Sequence, residues 1–314
     1  MWTRCEIRGI VRFLASQGGR SWLQSAASGA DDPELIRALF NRFGEEIYSE
    51  LSENKETPVE ILAKIVDASL IKVNWLWFDG LLNNPKLPAD LLEKLYWGFL
   101  PDWRETMGSY FAKHPNTPRH VLLDLAVATR CGKVIAEIVD SHPALFEEVA
   151  AIVNERIRRD IVIFDFDDCK YLLGCGVLDK ESVVRLYRLL SSETENRVRY
   201  GRERLWFSKE NAAVRRLFAA NAFTPPEALS RLAFDNDLGT RACALENPSL
   251  PIETIRRAAV VGLRYNHYGV LEHISLNPNC PVDVLVMLSM SPHEPVSRNA
   301  RERLATKLRG LVES

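Results

Sequence analysis

Asn247-Pro248-Ser249-Leu250-Pro251-Ile252-Glu253 is followed by Asn277-Pro278-Asn279-Cys280-Pro281-Val282-Asp283. The same phrase occurs as Asn54 to Glu60, Asn84 to Asp90, His114 to His120 and Asn221 to Glu227. A period of 26 to 30 residues is that of stacked supersecondary units. Each phrase reads as a hinge between two helices. The proline after the Asn cannot continue the helix before it, and an Asn just past a helix end tolerates a left-handed backbone. The second proline and the acid open the next helix. In Thr224-Pro225-Pro226-Glu227 the expected N-cap is Thr224, with Pro225 at the first helical position and Glu227 closing a capping box. Thr57-Pro58-Val59-Glu60 has the same order. Leu87, Leu250 and Cys280 replace the Thr elsewhere, so those copies lose that side-chain cap.

The residues around the phrase carry a helical period. Downstream lie Ile61, Leu62 and Ile65, then Leu91, Leu92 and Leu95, and then Val121, Leu122 and Leu125. Ala228, Leu229 and Leu232, and Val284, Leu285 and Leu288, repeat the spacing, with Thr254, Ile255 and Ala258 its weakest copy. Each set is one face of a helix. Upstream, Trp77 and Leu81, Met107 and Phe111, Val214 and Phe218, Thr240 and Ala244, and Val270 and Ile274 are i, i+4 pairs on a short second helix. A hairpin with two apolar stripes buries both only by stacking on its neighbours. The fold predicted is an all-α solenoid of stacked helical hairpins, a curved right-handed superhelix.

Asn-Pro-x-x-Pro with Leu-rich spacing, and Val214-Arg215-Arg216-x-x-Ala219-x-Asn221, resemble the leucine-rich repeat variant family, which sits with HEAT-like solenoids. The resemblance covers most of residues 54 to 304, although the units here are longer than that family's. Some members carry an N-terminal cysteine cluster for an iron–sulfur centre. Only Cys5 lies near the N-terminus here, so no cluster is carried over.

Composition sets the class. The chain has 314 residues, 46% hydrophobic and 26% charged, which is ordinary soluble composition. No apolar run approaches the roughly 18–20 residues needed to cross a bilayer, so no membrane span is expected. Arg8 and Arg12 interrupt the first apolar stretch, which makes it a poor signal peptide. Six cysteines without a C-x-x-C pair suit reduced thiols in a cytoplasm. From Arg197 onward Lys and Arg outnumber Asp and Glu 17 to 12; before it they are outnumbered 23 to 30. The basic C-terminal half suits an acidic partner, yet falls short of a nucleic-acid domain's footprint.

Residues 1–50 read as an N-terminal helical cap, with Asp31-Asp32-Pro33-Glu34 as a helix start. Residues 51–150 hold helical repeats, the fourth beginning at His142 and fading. Residues 151–210 are irregular: either degenerate repeats bridge the two arrays or the solenoid bends there. Cys175 to Leu186 keeps the helix spacing through Ser182, Val183 and Leu186 without the prolines. Residues 211–314 resume the repeats and end in a polar capping helix.

Chemical motifs are few. Ile161 to Asp168, an apolar run ending in Asp165-Phe166-Asp167, resembles the first motif of haloacid dehalogenase-type phosphatases. That resemblance implies Asp165 as nucleophile and Asp167 as acid/base beside magnesium, although the family's following Gly-Thr is Asp168-Cys169 here. Asp235 and Asp237 could stand for its later acidic motif, but they fall in a repeat loop. Trp75, Trp77, Trp97 and Trp103 with Asp79 resemble the aromatic surface of HEAT-like alkylpurine DNA glycosylases; packing between repeats is the alternative, and Trp77 holds a core position. No Gly-rich phosphate loop or G-x-S-x-G elbow occurs, and the six histidines form no ligand spacing. His114 and His142 replace the repeat's Asn. No metal or cofactor is expected.

The function expected is non-catalytic: a groove receiving a protein or peptide. Its binding candidates are Arg199, Arg202, Arg215, Arg216, Arg241, Arg298, Arg301, Trp75 and Trp103, with Arg215, Arg241 and Arg298 turned toward the partner by the second helices. Arg197 to Trp206 interleaves bases with aromatics, and a nucleic acid held by a basic stripe is the alternative.

Overall fold

The computed structural model describes residues 3–17, 20–99, 101–159, 166–191 and 211–312. All regular structure among them is helical. The chain divides into two compact units, Met1–Val149 and Ala150–Ser314.

In the first unit the helices alternate between two rows. The first row holds α1 (Arg4–Gln17), α3 (Pro33–Phe43), α5 (Val59–Lys72), α7 (Ala89–Gly98) and α9 (Arg119–Ala128). The second row holds α2 (Arg20–Gly29), α4 (Tyr48–Glu53), α6 (Trp75–Asn83), α8 (Pro101–Lys113) and α10 (Gly132–Ser141). Members of a row pack on one another, α1 on α3, α5 on α7, α2 on α4, α4 on α6 and α8 on α10. The predicted core positions lie between the rows: Ile61, Leu62, Ile65, Leu92, Leu95, Leu122 and Leu125 are buried, as are Trp77, Leu81, Met107 and Phe111. The second row is tight. A Cβ on Gly80 would lie 1.9 Å from the Ser52 hydroxyl, so α4 and α6 approach closely only because position 80 has no side chain.

In the second unit α11 (Phe146–Arg158, whose first residues belong to the first unit), α12 (Phe166–Cys175) and α13 (Lys180–Ser191) precede the regular repeats. Those are α14 (Ala212–Ala220), α15 (Pro226–Leu232), α16 (Leu238–Glu246), α17 (Ile252–Arg264), α18 (Tyr268–Leu276), α19 (Val282–Ser289) and α20 (Glu294–Val312). Here α12, α14, α16, α18 and α20 form the closely packed row. The proline-free Cys175 to Leu186 segment is helical apart from its turn. Asp179 there takes over the capping role, its carboxylate accepting from the Ser182 N–H at 2.8 Å. Ser182, Val183 and Leu186 are buried, and only Val270 among the expected second-helix positions is half-exposed.

The phrase works differently from its sequence reading in two ways. First, Thr224 is not the N-cap. Pro225 occupies that position with an extended backbone (φ −57°, ψ 142°), and α15 starts at Pro226. The Thr224 hydroxyl instead donates to the Phe218 carbonyl at 2.5 Å; Thr57 reaches Leu51 at 2.7 Å and Thr117 reaches Phe111 at 2.8 Å. The threonine therefore satisfies an orphan carbonyl of the helix before it, and no capping box forms. Second, the Asn is not left-handed: Asn54, Asn84, Asn221, Asn247 and Asn277 are all extended.

The asparagine side chain explains its recurrence. The amide of Asn84 donates to the carbonyls of Ser52 and Asn54 at 2.9 and 3.1 Å. Its oxygen accepts from the Lys86 N–H at 3.0 Å. Asn247 bonds the Ala219 and Asn221 carbonyls, and Asn277 those of Leu245 and Asn247. Each buried Asn thus closes its own turn and clamps the previous one. His114 fills the same rung, Nε2 donating to the Asn84 carbonyl at 2.9 Å while Nδ1 accepts from the Asn116 N–H at 3.2 Å. Burial lowers the His114 pKa below the usual histidine value, so the neutral ring that can do both is favoured. His142, also lowered by burial, lies against the Ala112 carbonyl without a well-formed bond from Nε2.

Candidate interaction surface

The arginines expected to face a partner are mostly committed elsewhere. Arg215, on α14, is buried. Its guanidinium holds Asp235 through two bonds of 2.8 and 3.0 Å, in the turn that joins α15 to α16. The helical count placed it one residue from the core stripe, and Asp235 pulls it inward; it does not face solvent. Arg216 is exposed but grips Asp237 through two bonds of 2.7 Å. That pair, and the Thr240 N–H and hydroxyl, keep the Asp237 carboxyl far below its usual range. Arg298 pairs with Glu294 at 3.2 Å, and Arg301 donates to the Ser289 carbonyl at 3.0 and 3.2 Å. Arg241 is half-buried, its Nε without a hydrogen-bond partner. Arg199 and Arg202 lie outside the described residues, as do Asp165 and the side chain of Trp103 on α8. Of these arginines, Arg215, Arg216 and Arg298 are therefore engaged in ion pairs.

Asp167 sits in the first turn of helix α12, whereas the phosphatase motif requires a strand end within an α/β fold. With Asp235 and Asp237 both held by arginines, the resemblance ends at the local motif. Among the described residues no group of His, Cys, Asp and Glu is arranged to hold a metal ion. No described helix is long and apolar enough to cross a membrane. All six cysteines are free, and burial pushes the Cys280 thiol up to about 12, which leaves it unreactive.

Trp75 is one binding candidate that stays at the surface. It opens α6 and is 46% exposed, whereas Trp77 is buried. Leu76 beside it is 67% exposed and Ile71, at the end of α5, 80%. Between them Val73 adopts a left-handed backbone (φ 51°, ψ 55°) as the C-cap of α5. A β-branched residue is disfavoured there by steric contact with its own carbonyl. Trp97 is also exposed. Its neighbour Gly98 packs closely on α5, where a Cβ would lie 2.6 Å from Leu70. Ile71, Val73, Trp75 and Leu76 are thus four exposed apolar side chains of the one turn that joins α5 to α6, and Trp97 lies in the last turn of α7. The sequence marked Trp75; Ile71 and Val73 escaped because the turn has neither Gly nor Pro.

Two surface clefts, of about 450 and 400 Å³, recur beside the phrase. In the first, Lys113 and Tyr110 are engaged with Glu137 and Asp79 at 2.8 and 2.7 Å, so its lining polar groups are already satisfied.

No protein-family model matches this chain. No curated protein is detectably similar to it. Among solved structures it is similar to the crystal structure of an engineered protein from the Northeast Structural Genomics Consortium, with a TM-score of 0.43 and 14% identity over 95% of this chain and 90% of that one. A likeness that loose informs neither fold detail nor function.

Proposed function

We propose that the chain is a non-catalytic scaffold that binds a partner protein. The observation that carries this reading is the apolar surface around Trp75. Contiguous exposed apolar side chains mark interaction sites on soluble proteins, and tryptophan is enriched among residues that dominate interface energies. The strained Val73 backbone supports it, because such strain persists at functional positions. The Asn-Pro phrase supports a place beside the leucine-rich repeat variant family, and the free thiols suit a reducing cytoplasm.

Photo-crosslinking tests the reading. A benzophenone side chain at Leu76, introduced in the native cell, is expected to yield a discrete heterologous adduct that Trp75→Ala abolishes. The same probe at Glu60, among ion pairs on α5, is expected to yield none. No adduct at position 76, or adducts only to a second copy of the chain, would overturn it.

A further inference from the structure

Along the first row of the first unit, successive helices are joined by ion pairs. Arg37 on α3 meets Glu60 on α5 at 2.8 Å and Asp67 on α5 meets Lys94 on α7, while the Glu93 carboxylate of α7 is hydrogen-bonded to His120 Nε2 on α9 at 2.9 Å. The junction of α1 with α3 breaks this pattern. It forms a cleft of about 620 Å³, lined by Ile7, Val11 and Ala38 with Arg8, Arg12, Arg42 and Ser16. Residues 8, 12 and 16 follow one stripe of α1, residues 7 and 11 the stripe beside it, and 38 and 42 face them from α3.

All three arginines are exposed, and among the described residues no carboxylate lines the cleft. The described acid of α1, Glu6, is held by the Thr3 N–H and hydroxyl at 2.8 and 2.6 Å. Glu34 on α3 is taken by Arg37 at 2.6 Å. Arg42 has only the Phe43 ring, its guanidinium carbon 5.8 Å from the centroid. Where every later junction supplies an acid from within the chain, this one leaves an apolar floor beneath three guanidinium groups.

We infer that this cleft binds an acidic segment of a partner protein, apolar side chains on Ile7, Val11 and Ala38 and carboxylates on Arg8, Arg12 and Arg42. The inference deepens the scaffold reading and rests on it. A guanidinium fork matches a carboxylate bidentately. The apolar floor favours a peptide over a bare polyanion, which would leave the half-exposed Val11 and Ala38 in water. The volume falls within the range of sites that take compact ligands.

The test uses the full chain and a fluorescein-labelled synthetic peptide in which Leu and Phe alternate with Glu, read by anisotropy. Saturable binding that weakens with salt is expected. The Arg8→Glu/Arg12→Glu variant should lose at least about tenfold in affinity. Arg42→Gln, on the other wall, should weaken it less and guards against misfolding of α1. Arg37→Glu and Trp75→Ala should leave it unchanged, so this cleft and the Trp75 surface are read separately. The assignment is overturned if wild type does not bind the peptide or if the Arg8/Arg12 variant, folded by circular dichroism, binds it as wild type does. It is overturned equally if oligothymidine or phosphatidylglycerol vesicles bind more tightly through the same arginines.

Discussion

The side-chain amide of Asn277 donates to the main-chain carbonyl of Asn247 at 2.9 Å, and Asn247 donates in turn to that of Asn221 at 3.0 Å. Neighbouring repeats are thereby joined through buried polar groups as well as apolar stripes. Asn247→Ala would leave the Ala219 and Asn221 carbonyls and the Ser249 N–H without these bonds. Losing buried partners of this kind costs about 3 kcal/mol in sum. Denaturant unfolding is expected to show that loss in Asn247→Ala, and a smaller one in Thr224→Ser, which keeps the hydroxyl on Phe218.

The Arg215–Asp235 pair is expected to be far more sensitive than Arg216–Asp237. Both members of the first are buried, so Asp235→Asn removes the carboxylate that faces a buried guanidinium, at about 3–5 kcal/mol. Replacing both by Met and Leu should recover most of that. Arg216 is half-exposed, and Arg216→Ala should cost far less because solvent screens the pair. Chemical denaturation of the three variants checks the order.

How far the fold was legible follows from these residues. The two-helix unit, its period and nearly all its core positions could be read because prolines and apolar spacing act locally. The roles of Asn and Thr could not. An Asn with a left-handed backbone and an Asn whose amide reaches a carbonyl of the previous turn look alike in sequence. The signal was periodicity itself: a polar residue returning at 26 to 30 residues does so to meet its neighbour's backbone. Arg215 was misplaced for a related reason, since its Asp235 partner lies in the next unit's turn. The α1–α3 cleft was invisible because it is defined by carboxylates that neighbouring junctions have and it lacks.

Stability should fall on mild acidification. The folded pKa of His114 lies below its unfolded value near 6.5, and His142 shifts the same way. The unfolded chain therefore binds more protons as pH drops through the unfolded value, and stability is present above it and lost below it until the folded pKa is passed. His114→Asn/His142→Asn restores the rung residue used elsewhere in the repeat and is expected to flatten that dependence, measured as melting temperature against pH.

Relief of the left-handed backbone gives another test. Val73→Asn, compatible with φ 51°, should stabilise the protein by about 1 kcal/mol while weakening partner capture, because an apolar contact leaves the Trp75 surface. A melting curve and a crosslinking yield read the two effects.

Hydrogen exchange with and without the captured partner tests the proposed function most directly. Slowed exchange is predicted in the segment spanning residues 70–78 and at 96–99, with the second-unit turn holding Asp235 and Asp237 unchanged. Slowing confined to the second unit, with residues 70–78 exchanging as freely as in the isolated chain, would contradict it.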